Sequence, residues 1–346
     1  MNQPRRQMVD ILEEVNHQHA DPVLVKCLGV HNEENWIEFN LANNYDEFDI
    51  IRIVEGAVQG RPNSTDDGHS TDKTVELIRN FPDPDNKIEL IRLGRFFKSL
   101  EEQKQVFLEL ANEGEWLFIV DCDEFYMDGD IEKVRKAIKS RPSASEIIPT
   151  FLHFYRDFFH IKAPHPEWQP QHQRIIRYRS GLRYHTHPVA TDGNGRCTYF
   201  TGEYQSSRYT MPKLWIYHYG HAKGKEFHKM KKEFYKGELE KFKTADGSSA
   251  SDKFDEKFVE FMEGTEPVNT ILKFDSPHPV SIQGHPQMEE RSPYYTVASG
   301  NLVLHRETFM DWEDNFVYGA DELPNIALLM MGEWKQTEPF YNVLRV

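Results

Sequence analysis

The sequence predicts an α/β fold built on a largely parallel sheet with helices on both faces and a ligand crevice outside the carboxyl ends of the strands. Three observations carry that expectation. Four apolar runs of strand length, Val23–Val30, Asp49–Val54, Ile88–Leu93 and Trp116–Val120, occupy the first third of the chain. Helical stretches separate them, at Trp36–Asn43, Val75–Asn80 and Leu100–Asn112. Each strand runs into a polar cluster: His31–Asn35, Glu55-Gly56, Gly94–Lys98 and Asp121–Glu124. Alternating strand and helix brings all four clusters to one edge of the sheet.

In chain order, Met8, Val9, Ile11, Leu12 and Val15 recur near helical spacing and predict a short amphipathic helix that Asp21-Pro22 ends. VLVKCLGV, residues 23–30, is rich in β-branched and apolar side chains and reads as a buried first strand. DIIRIV reads as the second. A loop of Gly60, Pro62 and Asn63 follows, and DGHSTDKT then opens a helix with Ser70 or Asp72 as N-cap. Beyond the fourth strand, Asp130–Ser140 is a helix. EIIPTFLHFYR, HQRIIRY, LRYHTH and LWIYHY read as added strands, and Phe227–Phe242 as a Lys- and Glu-rich helix. TADGSSAS is linker-like. The expected organisation is an N-terminal helix over 1–20, one α/β domain over 21–225, and an extension over 226–346 that includes an amphipathic piece at Leu323–Trp334.

Composition narrows the class. The 346 residues hold 41 basic and 56 acidic side chains, a formal charge of −15, which weakly disfavours a nucleic-acid partner. Three cysteines, Cys27, Cys122 and Cys197, with no CxxC, argue against a disulfide scaffold or a cysteine zinc site. The N-terminus has no continuous apolar signal region and no transmembrane segment stands out, so a cytoplasmic protein is expected.

The stretch WLFIVDCDEFY is where chemistry concentrates. Side chains two apart on an extended strand share a face, so Asp121 and Asp123 are expected to converge at the strand tip. Magnesium and manganese take oxygen ligands and commonly bind substrate phosphate as well. Four histidines, His185, His187, His218 and His221, lie at the ends of the later strands. Of these, His218 in the HYGH segment is the expected third metal ligand, and His185-x-His187 has a spacing that can chelate zinc. Arg95 and Lys98 can reach phosphate from the start of the long helix. The lysines from Lys223 onward read as a solvated helix face beside Glu226, Glu233, Glu238 and Glu240.

Together, VKCLGVHNEEN, IIRIVEG followed by DGHSTDKT, the helix Gln103–Leu110 and DCDEF resemble the family 2 glycosyltransferases with the GT-A fold. The likeness covers about residues 23–225 and is greatest to a branch with an Asp-x-Asp-Glu-Phe motif that includes bacterial polysaccharide core-sugar transferases. It implies a nucleotide-diphosphate sugar donor, UDP-sugar favoured, and a divalent metal, manganese or magnesium, on Asp121 and Asp123. The implied donor contacts are Val30, His31, Asn32, Glu33, Glu55, Arg95, Lys104, Asp121 and Cys122. Three departures stand out: Glu55 replaces the usual Asp, Lys104-Gln105 the usual Arg-Asn, and His187-Pro188 the usual His-Glu pair. His187 and Asp192 are the leading choices for the base that takes the acceptor proton, with His185 and Glu203 behind them. A glycan, glycolipid, protein or modified nucleobase would each supply the acceptor hydroxyl. The rival readings are a nucleotidyltransferase, a zinc hydrolase built on the histidines, and a non-catalytic nucleotide- or sugar-binding relative.

Overall fold

The computed structural model describes residues 21–162, 174–186, 189–191, 208–223, 271–274, 276–288 and 303–304. The helices expected over 7–18, Phe227–Phe242 and Leu323–Trp334 fall outside them. Strands β1 (Leu24–Val30), β2 (Ile50–Glu55), β3 (Ile88–Arg92) and β4 (Trp116–Val120) pair in parallel in the order β3-β2-β1-β4. Helices α1 (Ile37–Ala42), α2 (Thr74–Asn80) and α3 (Leu100–Glu109) connect them, and β5 (Glu124–Phe125) and α4 (Asp130–Ser140) follow. All these elements except β5, which was not expected, lie within a few residues of their expected positions.

Alternation along the parallel strands divides the core into two layers. Leu24, Leu28, Ile51, Ile53, Trp116, Phe118 and Val120 pack with Ile37 and Leu41 of α1, Ile78 of α2 and Ile131, Val134 and Ile138 of α4. Val25, Cys27, Leu117 and Ile119 face Val106 and Phe107 of α3 instead. Consecutive residues of one strand therefore bury against different helices, which is why these strands read as near-continuous apolar runs.

Past α4 the sheet becomes mixed. Strand β8 (Ile175–Arg177) is antiparallel to β4 and to β6 (Glu146–Tyr155), and β7 (His160–Lys162), β12 (Ile271–Phe274) and β13 (Val303–Leu304) extend the sheet beyond β6. A separate pair is formed by β9 (Arg183–Thr186) and β10 (Val189–Thr191). The long strand β11 (Arg208–His221) runs parallel to β6 and antiparallel to β5. Its register sets His218 opposite His153 on one side and opposite Glu124 on the other. The result is a mixed α/β sheet flanked by helices. No described helix is long and apolar enough to cross a membrane.

Two local expectations are corrected. Helix α2 begins at Thr74 with Lys73 in the cap position; Asp72 accepts from Thr74 N at 2.9 Å, while Ser70 Oγ turns away to accept from Asn32 N. The fourth strand stops at Val120, and Asp121–Glu124 is a turn closed by Glu124 N donating to Asp121 O at 3.0 Å. Strand alternation therefore does not set the relation between Asp121 and Asp123.

Candidate active site

The acidic turn is held from α1. Asn40 and Asn43 stand three apart and so share one helix face. The Asn40 side-chain amide donates to the carbonyls of Asp121, Cys122 and Glu124 at 3.3, 3.1 and 3.0 Å. Asn43 exchanges two bonds with the backbone of Tyr126, at 2.8 and 3.0 Å. Beneath them the buried Lys26 ammonium donates to the carbonyls of Asn40 and Asn43.

Three cations meet the carboxylates of this turn. Arg174 Nη2 lies 3.3 Å from Asp121 Oδ2 and 2.7 Å from Glu124 Oε1, and its Nε donates to Glu124 Oε2 at 3.0 Å. Lys104 Nζ stands 3.7 Å from Asp121 Oδ1, and burial lowers its pKa. Lys223 Nζ pairs with Asp123 Oδ2 at 2.8 Å and reaches Glu33 Oε2 at 3.5 Å. Burial pushes Asp123 upward, but Lys223 and His218 outweigh it and hold the carboxyl below its ordinary range. Burial raises Glu33, and it takes Glu124 to about 7 despite Arg174. Lys223 is itself buried among charged partners, a correction to its expected place on a solvated helix face. The later lysines of that run lie outside the described residues.

On the far side of Asp123, His218 Nε2 lies 3.7 Å from Oδ1. Adjacent ligands of an octahedral magnesium or manganese ion, each at about 2.1 Å, stand about 3 Å apart, so this pair would draw together by about 0.7 Å around such an ion while Lys223 occupies the other oxygen. The half-exposed Asp121, two residues earlier in the turn, adds a second carboxylate whose charge raises the Asp123 pKa. Gly220 makes the approach possible: a Cβ there would meet His218 Cε1 at 2.9 Å and Asp123 Oδ2 at 3.3 Å.

The remaining expected donor contacts knit two loops together. His31 Nε2 meets Ser64 Oγ at 3.0 Å, and burial pushes its pKa down to about 4. Asn32, at a φ of 54°, accepts from Thr71 N at 2.9 Å, and Glu33 N donates to Thr74 Oγ1 at 2.7 Å. The HNEEN turn and the DGHSTDKT loop are thus one unit. Glu55 is buried with both oxygens engaged: Oε1 accepts from Ser70 N at 2.7 Å, and Oε2 meets His69 Nδ1 at 2.7 Å and Arg92 Nε at 2.9 Å. Burial works against its ionisation, yet these partners win and lower its pKa.

Val30 is buried at the tip of β1, where its carbonyl accepts from Gly56 N at 3.0 Å. Cys122 is buried with the apolar core, and burial, with the charges of Glu33 and Asp123 near it, raises its thiol pKa. Arg95 is exposed and pairs with Glu102 at 3.1 Å. His187, Asp192 and Glu203 lie outside the described residues, and His185 is placed only as part of β9. Sequence reasoning passed over Arg174, Asn40 and His153. Asn40 and Asn43 at helical spacing were the available signal; Arg174 and His153 offered none.

Residues 64–199, from the loop before α2 past β10, match the family model "Glycosyl transferase family 2". No curated protein sequence matches the chain. Among solved structures, the chain is similar to the mannosyltransferase PcManGT from Pyrobaculum calidifontis in complex with GDP-Man and Mn2+. That likeness has 14% identity over 94% of this chain and 84% of that one, with a TM-score of 0.39. GalNAc-T7 with UDP, GalNAc and Mn2+ is similar at 12% identity over 70% of this chain and 56% of that one, TM-score 0.34. Mannose-6-phosphate isomerase from Helicobacter pylori is similar at 12% identity over 49% and 60%, TM-score 0.25. Likenesses this loose transfer no residue role.

Proposed function

We propose that the chain is a metal-dependent glycosyltransferase of the GT-A type, moving a sugar from a nucleotide-diphosphate donor, a UDP-sugar favoured, to a hydroxyl acceptor. The observation that carries this reading is the convergence on one acidic turn of groups from distant parts of the chain. Asp123 there is shared between Lys223 and His218, and Asp121 between Lys104 and Arg174. The family match includes that turn and supports the same reading. Asp121, Asp123 and His218 would hold manganese or magnesium, which when bound would supply Lewis-acid neutralisation of charge on the leaving diphosphate.

The chain's own residues would do the rest. Lys104, Arg174 and Lys223 hold the Asp121 and Asp123 carboxylates in place before any donor arrives, and Lys223 keeps Asp123 ionised, so little reorganisation would accompany the reaction. The joined HNEEN and DGHSTDKT loops would receive the nucleoside, with His31, Asn32 and Glu33 nearest. Glu55 would act through Ser70 and His69, whose positions its two oxygens fix. His187 and Asp192 are kept for the acceptor side, where one carboxylate or imidazole would take the hydroxyl proton. A glycan, glycolipid, protein or modified nucleobase would each fit as acceptor class, and residues 226–346 would help form that side.

The test is release of nucleoside diphosphate from UDP- and GDP-sugars with manganese, comparing the wild type with Asp121→Asn and Asp123→Asn. Each variant is expected to lose activity by about 100-fold or more while keeping its far-UV spectrum. Turnover unchanged in either folded variant overturns the proposal.

A further inference from the structure

Beside the carboxylate site lies a second set of donors made of nitrogen alone. His153, His218 and His221 each offer a ring nitrogen, and these atoms all lie within 4.8 Å of one another. His153 Nδ1 and His218 Nδ1 are 2.7 Å apart. The three rings stand across one another: 83° between His153 and His218, 84° between His218 and His221, 66° between His153 and His221, with centroids 4.9, 5.5 and 6.0 Å apart. Rings turned edge to face around a common point are arranged as imidazoles are around a small ion.

The backbone departs from regular pairing to achieve this. Residues three apart on a regular strand point to opposite faces, so His218 and His221 would diverge. The β11 register against β6 shifts between those two residues, and the irregularity carries His221 to the side where His153 and His218 already face each other as cross-strand partners.

We propose that His153, His218 and His221 form a binding site for a divalent ion of the zinc class, distinct from the carboxylate site and sharing His218 with it. Donor chemistry selects the ion. An all-imidazole set suits zinc, copper or nickel, whereas magnesium and manganese favour carboxylate and water oxygens. Zinc takes imidazole nitrogens at about 2.0 to 2.1 Å, and three such ligands leave a fourth position open. The 2.7 Å separation would widen to about 3.4 Å for tetrahedral ligands at that bond length, a small rotation of either ring.

The shared histidine couples the two sites. His218 turns Nδ1 to His153 and Nε2 to Asp123. A neutral imidazole carries one lone pair on nitrogen for a metal, so it ligates through one atom while the other bears hydrogen. An ion bound at Nδ1 leaves an Nε2–H facing Asp123 and removes His218 from the ligands of the neighbouring ion. This coupling rests on the function proposed above; the three-histidine site does not.

The experiment uses the full chain stripped with chelator and titrated with cobalt(II), whose visible absorption reports low-coordinate nitrogen ligation, and with zinc by equilibrium dialysis. One ion per chain with a strong visible cobalt band is expected. His153→Gln and His221→Gln, with the alanine variants as a second pair, are expected to weaken zinc binding at least 10-fold and abolish the band, while Asp123→Asn retains both. A featureless cobalt spectrum, or zinc binding unchanged in folded variants of His153 and His221, overturns the site. Manganese binding followed by electron paramagnetic resonance tests the coupling: one equivalent of zinc is expected to weaken it at least 10-fold in the wild type and not in His221→Gln, and equal manganese affinity with and without zinc overturns it. Because the cobalt band needs no sugar, loss of this site and loss of the glycosyltransferase reading would be told apart.

Discussion

A single missing side-chain carbon decides how His218 meets Asp123. Gly220 sits under the His218 ring, with the Asp123 carboxylate beyond it, and the space for a Cβ is already filled by both. Gly220→Ala is therefore expected to force the ring outward, costing about 1 to 3 kcal/mol of stability as an overpacked site and weakening manganese binding about 10-fold. Thermal unfolding and manganese titration would check the two effects, and an alanine variant with wild-type affinity for manganese would refute the spacing argument. At this scale the place of Asp121 and Asp123 just past the fourth strand was legible in the sequence, because an apolar run ends there; Lys104, inside α3, entered only through the family resemblance. Lys223 was not legible. It lies two residues past β11, and its partner Glu33 lies 190 positions away.

At the scale of the element, α1 is a short helix whose main work is to brace the acidic turn. Asn40 donates to three turn carbonyls from a site with no exposed surface. Asn40→Ala is expected to cost about 2 to 4 kcal/mol, since each lost bond leaves a desolvated carbonyl, and to lower donor turnover more than donor binding. Chemical denaturation and separate kcat and KM values would show it; a variant as stable as the wild type would mean that the turn holds itself. Strand β11 was expected over Leu214–Tyr219 and instead runs Arg208–His221. Pro212 and Lys213, the latter at a φ of 63°, lie at a register shift within it, and local pattern reads such an interruption as an end rather than a bulge.

For the whole molecule, buried titratable groups tie stability to pH. Burial holds Lys26 at about 7 and His278, set among Phe154, Phe158 and Phe274 with Tyr219 Oη 2.7 Å from its ring nitrogen, at about 4. In each case the folded chain releases its proton at lower pH than the unfolded chain, so the unfolded state binds more protons between the two values. Unfolding free energy then rises with pH, through about 4 to 6.5 for His278 and about 7 to 10.5 for Lys26, by at most about 1.4 kcal/mol per unit for each group. Glu124, raised to about 7 by burial, works the other way below pH 7, since there the folded chain holds the extra proton. The rise is therefore expected in urea unfolding from pH 7 to 9, and Lys26→Met is expected to flatten it. A wild type whose stability falls across pH 7 to 9 would contradict it.

The sequence by itself determined the strand and helix order of the first half, the two-layer core and the gathering of polar clusters at one sheet edge. Those follow from periodicity and alternation, which are local. Tertiary structure alone decided which cation faces which carboxylate, that the two aspartates lie on a turn, and that His153 joins His218 and His221. Such partnerships depend on the register of strands far apart in the chain, and a shift of one residue reverses the face that a side chain presents.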